Sequence, residues 1–437
     1  MIEDNNNNTI VNNTTSSSSL LVLESETASI STDDSKRSVV MDYYDKVIMA
    51  PMVRVGTLPM RLLAKEYGCD IAYSEELIDL KVSQTKRVIN KSLGTIDFIA
   101  KDNTITYRTC AEDTLNVLQL GTASATTALA AAQVVVNDVC AIDINMGCPK
   151  FFSVQGGMGS ALLSKPDTIK DILTTLIRNL PLPVTCKIRL LEDDNKTIDL
   201  MRIIENTGVK AIGVHMRTIP ERPRDPAHWD RLKNILDNAK FSVPIIANGD
   251  IFVNEDIEKV KKMTGANSVM VARGAIKNIS VFKAGAPDPL EHVIKRYLRL
   301  AMLKDNFYNN TKYVVNQMIQ ENEMQKTVEG KASTSAKGYD QLCKIWGLEK
   351  DLENYLNYKK LETQSIKNQS NNNNNNNNNN KNNNTNQKRT INEEKKETTT
   401  TITNSTISNL NEQDKNEQQQ EPSSKKHKTE IEDNNKD

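Results

Sequence analysis

Short apolar, β-branched runs alternate with helix-length amphipathic stretches along most of this chain, the pattern of repeated β/α units. Eight runs read as strands: Val47–Met52, Ile71–Ser74, Asn116–Leu120, Ala141–Asn145, Val184–Arg189, Ala211–His215, Val243–Asn248 and Ser268–Ala272. Between them, helices are expected at Pro59–Tyr67, Ala125–Asn137, Pro166–Asn179, Thr197–Thr207, Trp229–Ala239 and Asn254–Met263. The stretch Leu77–Thr114 is longer and less regular, so an insertion is expected there. Few charges interrupt the strands, as in strands buried on both faces. Eight such units close most economically into an α/β fold, the (β/α)8 TIM barrel. The runner-up, an open doubly wound sheet, lacks its G-x-G-x-x-G after the first strand. After Pro289 the pattern becomes helical only, at Leu290–Leu303, Thr311–Gln325 and Ser333–Trp346.

Composition trims the ends. Residues 1–40 are rich in Asn, Ser and Thr, and the last eighty or so contain no aromatic residue and an unbroken run from Asn371 to Asn380. Such segments bury too little apolar surface to offset chain entropy. The expected organisation is a disordered tail at 1–40, a barrel at 41–286, a small all-helical domain at 287–358 and a low-complexity disordered tail at 359–437. The net charge of zero conceals a mildly basic middle, with 43 Lys/Arg against 38 Asp/Glu in residues 41–360. A polyanionic partner is allowed but not required. The six cysteines form neither a C-x-x-C pair nor a zinc pattern, so no metal is expected and a reduced compartment fits. No run is long enough for a membrane span, and the N-terminus lacks a signal-peptide pattern. A cytoplasmic monomer is expected, with Lys425-Lys426-His427-Lys428 as a weak nuclear-import patch.

In such a barrel, ligands bind where the strands end. Those ends supply Ala50-Pro51-Met52, Ser74-Glu75-Glu76, Gln119, Asn145-Met146-Gly147-Cys148-Pro149, Lys187-Ile188-Arg189, His215-Met216-Arg217, Asn248-Gly249-Asp250 and Ala272-Arg273-Gly274. Gly249, Gly274 and Arg273 after the last two strands suit a phosphate, although the glycines could simply shape turns. Lys187 in a buried strand either snorkels or meets an anion. His215 is either a ligand contact or a hydrogen-bonded core residue. Cys148 differs from the other cysteines in being presented between Gly147 and Pro149. No neighbour in sequence supplies a base, so a protonated thiol acting as an acid is at least as reasonable as a nucleophile.

The stretches Ala50-Pro51-Met52-Val53-Arg54-Val55-Gly56-Thr57-Leu58-Pro59-Met60-Arg61, Glu75-Glu76-Leu77-Ile78-Asp79, Asp143-Ile144-Asn145-Met146-Gly147-Cys148-Pro149-Lys150 and Gly156-Gly157-Met158-Gly159 together resemble the tRNA-dihydrouridine synthases. The likeness runs from Val47 to near Trp346 and is greatest to the eukaryotic branch acting on uridine 20 of the D-loop. It implies bound FMN, NADPH as reductant and tRNA as substrate. By the family pattern Pro51, Met52, Val53, Gln119, Lys187, His215, Asn248, Gly249, Asp250, Ala272 and Arg273 would contact FMN. Asn145 and Arg217 would contact the substrate, the former at the uracil edge. Hydride would pass from the flavin to uracil C6, and Cys148 would protonate C5.

Three departures stand out. Met216 replaces a usual Gly after His215, which puts the contacts of His215 and Arg217 in question. Asn248-Gly249-Asp250 follows the wider family rather than the Asn-Gly-Gly of animal relatives. The double-stranded-RNA-binding domain of animal members has no counterpart after Lys360. The grip on tRNA is therefore expected from the rim and helical domain, with Arg217, Arg222, Arg224, Lys295, Arg296, Arg299 and Lys304 as candidates. Two rivals remain: a flavin-dependent reductase of free pyrimidines, and a non-catalytic RNA-binding barrel.

Overall fold

The computed structural model describes residues 41–360, which fall within one compact unit. Both expected tails lie outside the described residues, apart from Lys359 and Lys360 at the boundary. Twelve strands form: β1 (Val47–Met49), β2 (Ile71–Tyr73), β3 (Leu77–Ile78), β4 (Lys86–Asn90), β5 (Thr95–Ile99), β6 (Ile105–Cys110), β7 (Asn116–Gly121), β8 (Ala141–Met146), β9 (Val184–Arg189), β10 (Ile212–His215), β11 (Ile245–Asn248) and β12 (Ser268–Val271).

Eight of these, β1, β2 and β7–β12, pair in parallel around a ring that closes through β1–β12 and β2–β7. The expected TIM barrel is the observed fold. Its strands are apolar on both faces for a geometric reason. One face packs inward as a cluster including Ile48, Tyr73, Val117, Ile246 and Met270, while the other packs outward against the helices.

The expected insertion is a three-stranded antiparallel sheet, β4-β5-β6, whose edge strand β4 has no buried residue. Before it, the second barrel strand breaks at Ser74–Glu76 and resumes as β3. Both β2 and β3 pair with β7, so Glu76 lies in the gap.

Six barrel helices appear close to their expected ranges, and Pro166–Asn179 matches at both ends. The Leu290–Leu303 helix also matches, whereas the third expected helix beyond Pro289 is two, Val328–Ser335 and Tyr339–Ile345. The helical segment packs on the barrel through the Leu58–Glu66 and Arg273–Lys277 helices. No described helix is long and apolar enough to cross a membrane.

Candidate active site

The strand ends converge on a cavity of about 370 Å³ lined by Met52, Arg189, His215, Asn248, Ala272 and Arg273, among others. Its wall is rich in cations. Arg217, only 3% exposed, sends two hydrogen bonds to the Asp250 carboxylate (2.5 and 2.7 Å), which also accepts from Arg273 and from the Ala227 amide at 2.7 Å. Asp250 is thus saturated by its own protein, and only its backbone is left to meet an anion. Arg217 Nη1 also donates to His215 Nε2 at 3.3 Å. A guanidinium only donates, so that imidazole nitrogen must be unprotonated. Burial, then the charges of Lys187, Arg189, Arg217 and Arg273, hold His215 well below its usual range.

The same crowding acts on Lys187. Burial first, then Arg189, push its ammonium down to about 7, although Asp143 opposes the shift. Burial and the neighbouring Arg217 and Arg222 lower Arg189 to about 10. Like charges held together at this cost in a partly enclosed site mark a place built for an anion. The backbone agrees. Gly249 has φ +137°, where an added Cβ would also lie 2.9 Å from Ala227 Cβ, and a Cβ on Gly274 would strike the Ile251 carbonyl. Both chain segments therefore approach closely without side chains, as a phosphate cradle requires. The donor set and the close backbone approach fit a phosphate-bearing ligand.

Towards the barrel interior runs a hydrogen-bonded chain. Tyr73 meets Thr185 (3.4 Å), Thr185 and Gln119 donate to Asp143 (2.6 and 2.8 Å), and Asn145 donates to Gln119 (3.3 Å). Adjacent strand registers put these residues side by side. Burial raises the Asp143 carboxyl to about 6. At the upper end, Asn145 Oδ1 accepts from the Gly147 and Cys148 amides at 2.9 and 3.0 Å, so this side chain shapes the turn that presents Cys148. The thiol is half-buried, unlike the other five cysteines, and burial together with the charge of Glu76 raises its pKa. It is held as a thiol.

Most expected site residues come together here. Met52, His215, Asn248, Gly249, Asp250, Ala272 and Arg273 line the cavity; Lys187 neighbours Asn145 in register, and Gln119 lies beneath. Pro51 adjoins Met52, and Val53 is exposed. Met216 buries its side chain in the outer core without positive φ, so His215 and Arg217 keep their inward places. Four RNA-contact candidates are engaged otherwise. Lys295, Arg296, Arg299 and Lys304 face Glu291, Glu66, Asp351 and Glu112. Among the candidates, Arg224 is 86% exposed, with Asp225 at 3.9 Å. Arg189, Asp143 and Ser153 had no role in the sequence reading. A buried Arg at a strand end was a signal; Ser153 had none.

The family model for dihydrouridine synthase matches residues 48–384. The chain belongs to this family. It is 39% identical over 320 residues to the tRNA-dihydrouridine(20) synthase [NAD(P)+] of Schizosaccharomyces pombe, covering 71% of this chain and 66% of that one. The Saccharomyces cerevisiae protein of the same description is 35% identical over 301 residues, covering 64% of this chain and 78% of the relative. A human tRNA-dihydrouridine(20a/20b) synthase [NAD(P)+]-like protein is 34% identical over 247 residues, covering 56% and 73%. The chain thus spans just under two thirds of the length of its fission-yeast relative.

Proposed function

We propose that this chain reduces the C5–C6 double bond of uridine in tRNA, at position 20 of the D-loop, using bound FMN and NADPH as reductant. The observation that carries this reading is a single accessible cysteine, kept protonated, beside a cation-lined cavity at the strand ends. Family membership and the names of two relatives support tRNA and position 20 over free pyrimidines.

Arg273 and the backbone at Gly249 and Gly274 would hold the phosphate, while Lys187 and neutral His215 would hold the ring. FMN bound there supplies the hydride for uracil C6. Cys148 donates its proton to C5, and Asn145 keeps the thiol in place through the Gly147 and Cys148 amides. With all six cysteines unpaired, a reducing compartment such as the cytoplasm is part of the same proposal.

Cys148→Ala tests the reading. The variant should retain flavin absorbance and NADPH oxidation, but form dihydrouridine at least about 100-fold more slowly, the usual contribution of a positioned acid. Near-normal product would overturn the assignment. Activity on free uracil but not tRNA would favour a pyrimidine reductase, and a colourless protein unable to take up flavin would favour a non-catalytic barrel.

A further inference from the structure

Glu76 is nearly fully buried, and neither of its carboxylate oxygens accepts a well-aligned hydrogen bond. The Ser153 hydroxyl is also buried; it lies beside both Glu76 and Cys148 but forms no well-aligned hydrogen bond. Both flank Cys148. The Cys148 thiol, Ser153 hydroxyl and Asn145 amide lie beside the Glu76 carboxylate. A Cβ on Gly159 would strike Ser153 Oγ and come within 3.1 Å of Cys148 Cβ, so Ser153 and Cys148 lie against the same glycine. A Cβ on Gly121 would lie 2.6 Å from Glu76 Oε1, so the neighbouring strand makes room for the carboxyl. A buried carboxyl without a partner is costly, and one placed beside the reactive thiol calls for a reason.

We propose that Glu76, with Ser153 as the bridge, keeps Cys148 protonated and returns its proton after each turnover. This deepens the proposed function and rests on it for the turnover step. When Cys148 gives its proton to uracil C5, the S–H bond breaks, the C5–H bond forms, and sulfur keeps the electron pair as thiolate. A solvent acid protonates the Glu76 carboxylate, and the new O–H then breaks as its proton passes through the Ser153 hydroxyl to Sγ, restoring the carboxylate. The proton in dihydrouridine therefore comes ultimately from water. Burial raises the carboxyl above the ordinary glutamate range, so it takes up a proton more readily than an ordinary glutamate, and it is a carboxylate in the higher range where the thiol titrates. Among charged groups facing the thiol, Lys187 and Arg189 favour thiolate and Glu76 opposes it. Glu76 is a positioning residue because it acts through Cys148.

The test uses full-length, flavin-loaded Glu76→Gln. Its first readout is the pH profile of iodoacetamide alkylation at Cys148, with Cys148→Ala as the blank because the other five cysteines are buried. Removing the carboxylate should shift the alkylation midpoint down by about 1 unit, as expected for loss of an adjacent like charge. The second is kinetic. A single turnover of pre-reduced enzyme at pH 7 should stay within about threefold of wild type, while steady-state dihydrouridine formation falls by about 10-fold or more. Glu76→Asp should restore part of that loss. If Glu76→Gln does not fold, Ser153→Ala should show the same kinetic split.

An unchanged alkylation midpoint in Glu76→Gln overturns the inference, as does an equal loss in single-turnover and steady-state rates. In the fallback, unchanged steady-state turnover of Ser153→Ala overturns it. A wild-type chain that makes no dihydrouridine defeats the proposed function instead, and leaves the alkylation result to stand alone.

Discussion

Lys187 shows how one residue can cost stability for the sake of binding. Its ammonium is held near 7 in the folded chain, against 10.5 for an ordinary lysine. Between those values the unfolded chain binds more protons than the folded one, so stability of the flavin-free protein rises with pH across that window. Lys187→Met should raise the melting temperature of flavin-free protein at pH 6–7 and flatten its pH response. The same variant should bind FMN about 10- to 100-fold more weakly, the loss of a charged hydrogen bond of about 1.5–3 kcal/mol. Melting curves with and without FMN test both halves. A lower melting temperature for flavin-free Lys187→Met would show that the ammonium is satisfied inside the fold.

At the scale of elements, Arg61 joins three parts of the chain. It is 1% exposed and lies on the Leu58–Glu66 helix. Its guanidinium reaches Asp113 (2.7 Å), the Gly56 carbonyl (2.7 Å) and the Arg108 carbonyl on β6 (2.7 Å), and lies over the Tyr107 ring. Thr109 and Asn116 also donate to Asp113. The helix, the inserted sheet and the start of β7 thus share one buried ion pair. Arg61→Ala would leave Asp113 charged and short of donors, at a cost of about 3–5 kcal/mol. Chemical denaturation should show that loss, and a change below about 1 kcal/mol would mean that water fills the site. In the sequence Arg61 was only the end of a family-like stretch. Its structural role needed Asp113, which lies 52 positions away.

At the scale of the whole molecule, the proposed tRNA substrate calls for cations that are not already paired within the fold. Lys295, Arg296 and Arg299 lie in close ion pairs, whereas Arg222 lines both the cavity and the groove beside Pro149, and Arg224 is 86% exposed with only a long 3.9 Å contact to Asp225. Arg222→Ala and Arg224→Ala should each weaken tRNA binding and reduce its logarithmic salt slope by about 1. Lys295→Ala should change the slope less. Binding titrations over a range of salt concentrations test this ranking. A slope unaffected by the two arginine variants would place the contact elsewhere on the rim or in the tails.

The eight strands, their order and the position of Cys148 at a strand end were all legible in sequence, because apolar period and Gly/Pro punctuation are local properties. So were the glycines after the last two strands, Gly249 and Gly274. What the sequence could not contain was which distant groups meet. Pairing of β2 and β3 with β7, and of β7 with β8, puts Glu76 beside Cys148, 72 positions later, while the adjacency of β10, β11 and β12 joins Arg217 and Arg273 through Asp250. Proton affinities depend on such neighbours and on burial rather than on the residue's own chemistry. The sequence by itself therefore determined the barrel and named its cysteine. Only the tertiary structure decided that Arg217 is committed inward, that burial and like charge push Lys187 towards neutrality, and that the thiol lies beside a buried carboxyl.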